Sequence, residues 1–295
     1  MRIEATKPET VDTAQIAIEG LERPVTLMHI TDSHMMEWDE RDARVEEDGQ
    51  QKRESFMDRT PGNVSMSRLF EERLEQGRQL GVDAFILTGD LIHFPAYAGL
   101  ELIQRKLAET NTPFQYVAGN HDWLFPFESY EAATRSAYSS RFNELMGADP
   151  LCQVLDVAGV RIIGLDNSTQ QLEDVQVEFL KAQLGSGLPC VVSMHIPLYL
   201  PTLDPAVREK WKAPLMMGVP DSEEIRSNWP GSLPTAATRA GAQTLLAESA
   251  GNLVGVFCGH VHFDHVDMVR PNCFQYVTQP CFEGGYRIVK LVPMG

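Results

Sequence analysis

Five times along this chain a short apolar, strand-like run stops at groups able to bind a metal ion. That recurrence limits the fold more than any other feature. Residues 25–30 lead to Asp32, Ser33 and His34, and residues 84–88 lead to Gly89 and Asp90. Residues 114–118 lead to Gly119, Asn120, His121 and Asp122, residues 190–194 to His195, and residues 253–258 to Gly259, His260, Val261 and His262. Runs so apolar read as strands buried on both faces. In open α/β folds, groups at the carboxyl ends of such strands converge on one crevice. A period of two sends Asp32 and His34 to one side together, and His260 and His262 likewise.

Helical patterns at 67–80, 99–109, 172–183 and 238–250 alternate with these runs and with a further strand at 161–165. After them, 266–269, 273–278 and 287–292 read as hairpin strands with no helix between. The chain is therefore expected to be a single mixed α/β domain over 1–295, with helices packed on two sheets. Two stretches break the rhythm and read as insertions. Residues 37–63 are polar and dense in charge, unlike any regular element. Residues 200–234 hold six prolines with Trp211, Met216, Met217 and Trp229, and are expected to be ordered. Their place just after His195 makes them a candidate lid over the site; a surface excursion or a homo-oligomer contact is the alternative.

The donor set argues for metals. Imidazole and carboxylate suit manganese, iron or zinc, and the absence of thiolate argues against a structural zinc site. Asp32, His34, Asp90, Asn120, His195, His260 and His262 are too many ligands for one ion and suit two if one carboxylate bridges. A lone histidine at a strand end is ordinarily a satisfied polar residue, and a lone Gly-Asp is ordinarily a turn. It is the joint occurrence, in strand-end positions, that carries the inference. Five of the eight histidines lie within these segments.

Asp-x-His, Gly-Asp, Gly-Asn-His-Asp, an isolated His after a strand and Gly-His-x-His, in this order, resemble the calcineurin-like metallophosphoesterase superfamily. The resemblance spans about residues 25–290 and implies a four-layer αββα sandwich with two mixed sheets and a dinuclear metal site at the strand ends. It implies a first ion held by Asp32, His34 and His262, a second by Asn120, His195 and His260, and Asp90 bridging them. His121 would act beside the phosphate as the acid for the leaving group, with Asp122 orienting its imidazole. Two ions could activate a shared water for in-line attack on phosphorus and neutralise the phosphate oxygens. The substrate implied is a small phosphorylated molecule, diester or monoester. The opening Asp-x-His and Leu165-Asp166-Asn167-Ser168 look most like the cyclic-nucleotide phosphodiesterase-like branch. Purple acid phosphatases carry a tyrosine where this chain has His93, so no purple colour is expected, and His93 is given a supporting or substrate-facing role.

Composition excludes some classes. The net charge of −16, from 41 acidic against 25 basic residues, disfavours a grip on duplex nucleic acid or anionic membrane. No signal peptide and no spanning run of about 18 apolar residues is visible. The five cysteines, without Cys-x-x-Cys, read as free and mostly buried, and the cytoplasm is the expected compartment. Two rival functions remain. A scaffold of the same fold would have lost metal ligands, and none is lost here. His260-Val261-His262-Phe263-Asp264-His265 also fits the dinuclear motif of metallo-β-lactamase-fold hydrolases, but residues 266–295 offer no further histidine. His29 reads as a core histidine, and His265, at the start of a strand, as a residue that would hydrogen-bond to a metal ligand.

Overall fold

Strands that are apolar on both faces need cover on both sides, which a layered sandwich provides. The computed structural model describes residues 1–147 and 149–295. The strands are β1 (Ile3–Ala5), β2 (Thr13–Ile18), β3 (Val25–Ile30), β4 (Ala84–Thr88), β5 (Phe114–Val117) and β6 (Cys152–Val157). They continue with β7 (Val160–Leu165), β8 (Cys190–Ser193), β9 (Leu253–Cys258), β10 (His265–Arg270), β11 (Cys273–Val277) and β12 (Arg287–Pro293). One sheet has the order β1-β2-β12-β3-β4-β5, the other β10-β11-β9-β8-β7-β6. β3, β4 and β5 run parallel, as do β7, β8, β9 and β11. Antiparallel β12 beside β3 and β10 beside β11 make both sheets mixed.

The helices are α1 (Glu46–Met57), α2 (Met66–Leu80), α3 (Tyr97–Thr110), α4 (Ala132–Tyr138) and α5 (Asn143–Met146). After them come α6 (Asp174–Leu184), α7 (Asp204–Trp211), α8 (Glu223–Asn228) and α9 (Ala236–Leu246). Three apolar clusters mark the interfaces between four layers. Met28, Phe85 and Leu87 of the first sheet pack against Phe70 and Leu74 of α2 and Ile103 and Leu107 of α3. Leu27, Ile86 and Val289 face Val191, Val254 and Phe257 between the sheets. Ile163, Val192 and Val256 meet Leu180 of α6 and Leu245 of α9 on the far side. Neighbouring Leu27 and Met28 thus serve different clusters, as the two-residue period of a strand requires.

Local sequence explains the helix ends. α2 buries Met66, Leu69, Phe70, Leu74 and Gly77 along one face, starts on the Ser65 hydroxyl, which accepts from the Arg68 N–H, and stops at Gly81 with φ 63°. Gly77 lets the helix approach the sheet, because a Cβ there would overlap the Phe85 ring.

The αββα expectation holds, and the strands at 25–30, 84–88 and 253–258 match to the residue. Two expectations are corrected, and one element was missed. Residues 37–63 are largely helical, with two 3-10 turns flanking α1. α1 has no apolar stripe because it is exposed on most sides; its buried Gly49 sits against Trp38 and Phe94. The last strand does not join a C-terminal hairpin. β10 and β11 form that hairpin, whereas β12 crosses to the first sheet and fills the gap between β2 and β3. The edge hairpin β1–β2 was not foreseen, because β2 carries its buried Ala14, Ile16 and Ile18 in a short run diluted by Thr13, Gln15 and Ala17. All five cysteines are free, and four are buried. Among the described residues no helix is long and apolar enough to cross a membrane.

His29 is a core histidine as expected, and it ties the sheets together. Its Nδ1 lies 2.8 Å from the Thr278 hydroxyl beyond β11, and its Nε2 lies 2.6 Å from the Thr88 hydroxyl of β4. Burial, and then the Arg287 guanidinium, pushes its pKa down to about 3. The unfolded chain therefore takes up a proton below about 6.5 that the fold refuses. Stability should fall with acid across that window, by about 1.4 kcal/mol per pH unit from this group. Urea unfolding of metal-free chain at pH 7 and pH 5 should show a smaller loss for His29→Gln than for the wild type. Equal losses would mean that His29 is not the buried neutral group.

Candidate metal centre

Each ligand segment lies where a strand leaves its sheet and turns sharply. Asp32, His34, Asp90, His260 and His262 all have left-handed backbones, with φ of 51°, 45°, 50°, 69° and 55°. Such conformations cost about 1–3 kcal/mol each and persist only where surrounding bonds impose them. Those bonds are present. The Asp32 N–H donates to the Gly89 carbonyl at 3.0 Å and the His34 N–H to the Asp90 carbonyl at 2.8 Å, which laces the β3 loop to the β4 loop. The Gly259 N–H donates to the His195 carbonyl at 3.0 Å and joins the β8 and β9 loops. The His260 N–H donates to Asp32 Oδ2 at 2.9 Å, from the second sheet to the first. A Cβ on Gly259 would collide with Thr31 Oγ1 and Asp32 Oδ2, so the loop can close this tightly only with glycine.

The side chains form two groups that share one residue. Asp32, His34, Asp90 and His262 present donor atoms all within 4.8 Å of one another, and so do Asp90, His195 and His260. In the first group, His262 Nε2 lies 3.1 Å from His34 Nε2 and 3.2 Å from Asp32 Oδ1. In the second, His195 Nε2 lies 3.2 Å from His260 Nδ1. Asp90 Oδ2 stands between them, 3.7 Å from His34 Nε2 and 3.2 Å from His195 Nε2. The other oxygen, Oδ1, is held out of the way by the His121 N–H at 2.8 Å. Burial alone would raise the Asp90 carboxyl, but the His195 and His121 imidazoles outweigh it and hold the group well below the usual carboxylate range.

The residues fit a pair of metal ions. Asn120 Oδ1 is buried without a hydrogen-bond partner, an arrangement that costs about 1–3 kcal/mol unless a cation takes the lone pair. His195 Nδ1 lies 2.7 Å from the Thr88 carbonyl, which fixes one proton there and turns Nε2 toward Asp90; against its burial, Asp90 pushes the imidazole's pKa up to about 9, so Nε2 carries a proton that a bound ion would displace. Donors of this kind, nitrogen and oxygen without sulfur, suit manganese, iron or zinc.

One sequence-derived role is corrected. Asp122 does not orient the His121 imidazole. Its Oδ2 accepts from the Gly119 and Asp90 N–H groups at 2.7 and 2.8 Å, and its Oδ1 accepts from the Ile92 N–H at 3.1 Å. It is a brace between the β4 and β5 loops, and burial, followed by Asp90, pushes its pKa up to about 7. The His121 ring instead stacks on His93, with centroids 4.4 Å apart.

The candidate lid divides. The Trp211 ring stands 5.4 Å from His262 and its Nε1–H donates to the Val261 carbonyl at 2.8 Å, while Lys210 donates to the His262 carbonyl. The last turn of α7 therefore supports the Gly-His-Val-His loop. Met216 and Met217 are fully buried in the apolar cluster behind the second sheet, and Trp229 packs on that cluster, so the two methionines do not reach the site. Phe56 of α1, which sequence reasoning missed, lies 5.0 Å from the His34 ring. Nothing in its polar surroundings marked it. His265 pairs with Asp267 at 3.0 Å and Asp264 pairs with Arg287, so neither joins the clusters, and the rival reading of that segment fails.

A sequence model described as calcineurin-like phosphoesterase matches residues 25–264. Comparison with curated protein sequences finds no match. Among solved structures, the chain is similar to a dimetal phosphatase from Danio rerio, at 13% identity and a TM-score of 0.53, with 89% of each chain covered. It is also similar to a purple acid phosphatase from seeds of yellow lupin (Lupinus luteus), at 12% identity and a TM-score of 0.54, covering 92% of this chain and 46% of that one.

Asp90→Ala should abolish binding of both ions, measured as metal per chain by plasma mass spectrometry after gel filtration. Retention of two ions would refute the shared position of Asp90. Gly259→Ala should displace Asp32 and lower the metal content by about one ion while the circular dichroism stays native.

Proposed function

The chain belongs to the calcineurin-like phosphoesterase family, and on that premise we propose that the seven residues Asp32, His34, Asp90, Asn120, His195, His260 and His262 hold the two metal ions of a phosphoric ester hydrolase. The observation that carries the assignment is Asp90 Oδ2, placed between two groups of donors. Two ions, when bound, supply Lewis-acid charge that activates water for attack on phosphorus and offsets the charge on its oxygens. Asp32, His34 and His262 would hold one ion, and Asn120, His195 and His260 the other.

The remaining steps fall to other side chains. His121 lies beside the first cluster, its ring centroid 5.0 Å from that of His34, and its backbone N–H anchors Asp90. We assign it as the donor that protonates the departing oxygen; burial pushes its pKa below the ordinary imidazole value, which makes its protonated form a stronger acid. Asp122 contributes by fixing the backbone around Asp90 and Asn120, so its role is positioning. Lys210 bonds the His262 carbonyl, and Arg59 stands over the Phe282 ring, which itself lies 5.3 Å from His262. Arg59 is already paired with Glu283 at 2.6 Å, so of the two it is the Lys210 ammonium that favours an anionic substrate at this rim. Small phosphorylated substrates suit the family. Phosphodiesters, cyclic nucleotides among them, are the class we place first, on the Asp-x-His opening and the Asp166-Asn167-Ser168 turn. There, Asn167 Oδ1 accepts from the His195 N–H at 3.1 Å.

The scaffold alternative predicts no tightly bound metal. Full chain loaded with manganese should hydrolyse phosphodiesters or monoesters, and a chelator should abolish the activity. An inactive protein that binds both ions and every substrate class poorly would favour the scaffold. His121→Ala should keep both ions and slow turnover by about 10²–10⁴-fold, most for poor leaving groups. An equal loss across a leaving-group series would assign His121 to phosphate binding and not to proton donation.

A further inference from the structure

We infer that His93 is a positioning residue of the metal centre, which accepts the proton of His34 Nδ1 and thereby turns the bare His34 Nε2 toward the shared ligand cluster. The inference rests on the reading of that cluster given above. The two Nδ1 atoms face each other at 3.0 Å, and His34 Nδ1 has no other hydrogen-bond partner among the described residues. His34 Nε2 is the atom near His262 Nε2, Asp32 Oδ1 and Asp90 Oδ2, at 3.1, 3.8 and 3.7 Å. A ligand nitrogen must be unprotonated, so the His34 proton sits on Nδ1. An N–H at that place needs an acceptor, and two facing Nδ1–H groups would repel. His93 must therefore be bare at Nδ1 and carry its own proton on Nε2. For His195 the same task is done by the Thr88 carbonyl; for His34 it falls to a side chain.

His93 is built to stay in place. Its N–H donates to the Met35 carbonyl at 2.9 Å, next to the bridge between Met35 and Ile92. Phe56 and Phe94 flank the ring, with centroids at 5.3 and 6.2 Å. Its other face stacks on His121 at 4.4 Å and 21°. One imidazole thus sets both the proton of a ligand and the plane of the assigned acid. The nitrogens of His34, His93 and His121 also lie within 4.8 Å of one another. They do not make a third metal site, because His34 would then need both nitrogens bare.

The test uses full-length chain, loaded with zinc for nuclear magnetic resonance and with manganese for binding. Long-range proton–nitrogen correlation on the zinc form should show His34 protonated at Nδ1 and His93 at Nε2. Manganese titration followed by electron paramagnetic resonance should show His93→Phe losing about 10–100-fold in affinity at one of the two sites. His93→Asn, whose Oδ1 can accept from His34 Nδ1, should stay within a few-fold of the wild type. A His93 proton on Nδ1, or wild-type affinity at both sites in His93→Phe, overturns the inference. So does an equal loss in both variants. If either variant fails to fold, the wild-type proton positions decide. Wild-type chain that binds no metal would sink the metal-centre reading itself, an outcome distinct from the others.

Discussion

Two buried carboxylates lie at the junction of two sheets, and the structure around them is arranged to keep both ionised. Asp32 and Asp90 are each fully enclosed, and burial pushes both toward protonation. Opposing it are imidazoles on one side and backbone N–H groups on the other. Asp32 Oδ2 receives the Thr31 hydroxyl at 2.7 Å and the His260 N–H, and Asp90 Oδ1 receives the His121 N–H. These donors come from loops after β3, β5 and β9, so the carboxylates hold their charge only if both sheets are in register. The left-handed ligand residues follow from the same demand. Asp32 and His34, like His260 and His262, turn inward through left-handed residues and not through the extended period of two expected from the sequence.

The two segments that interrupt the α/β rhythm become walls of the site. α1 brings Phe56 against His34 and His93, and α7 brings Trp211 and Lys210 against the loop that carries His262. Both sit at the His34–His262 end of the centre, while the His195–His260 end is closed by the fold's own threonine and asparagine, Thr88 and Asn167. Low-dielectric aromatic walls at one end strengthen every charge interaction inside.

The parts legible in the sequence were those written into contiguous residues. Strand ends with Asp-x-His or Gly-His-x-His announce themselves, because the apolar run and the polar stop lie side by side. The candidate ligand set and the two sheets with packed helices came from that pattern, and the αββα order of the layers from the family resemblance. What was hidden depends on long-range pairing or on solvent exposure. α1 has little apolar face to betray it, since it covers the core with Gly49 and its last turn alone. β12 has the apolar character of any strand, and nothing local says which sheet it joins. Asp122 was assigned to its neighbour in sequence, His121, but its oxygens bond backbone N–H groups on two loops. Likewise, His93 stands three residues past Asp90, and only the fold shows that its partner is His34.

The placement of β12 has a consequence for the order of assembly. Residues 287–293 run between β2 and β3, so β3 has no neighbour on that side until residues beyond the whole second sheet exist. During synthesis the second sheet is delivered complete, whereas the sheet that carries Asp32, His34 and Asp90 stays open at its centre. The early candidate ligands thus wait for a late strand: until residues 287–293 pair with β2 and β3, His195, His260 and His262 stand at the strand ends of the second sheet without the carboxylates fixed opposite. Metal capture would in this sense wait on residues 287–293, because the shared site needs the strand that closes the first sheet.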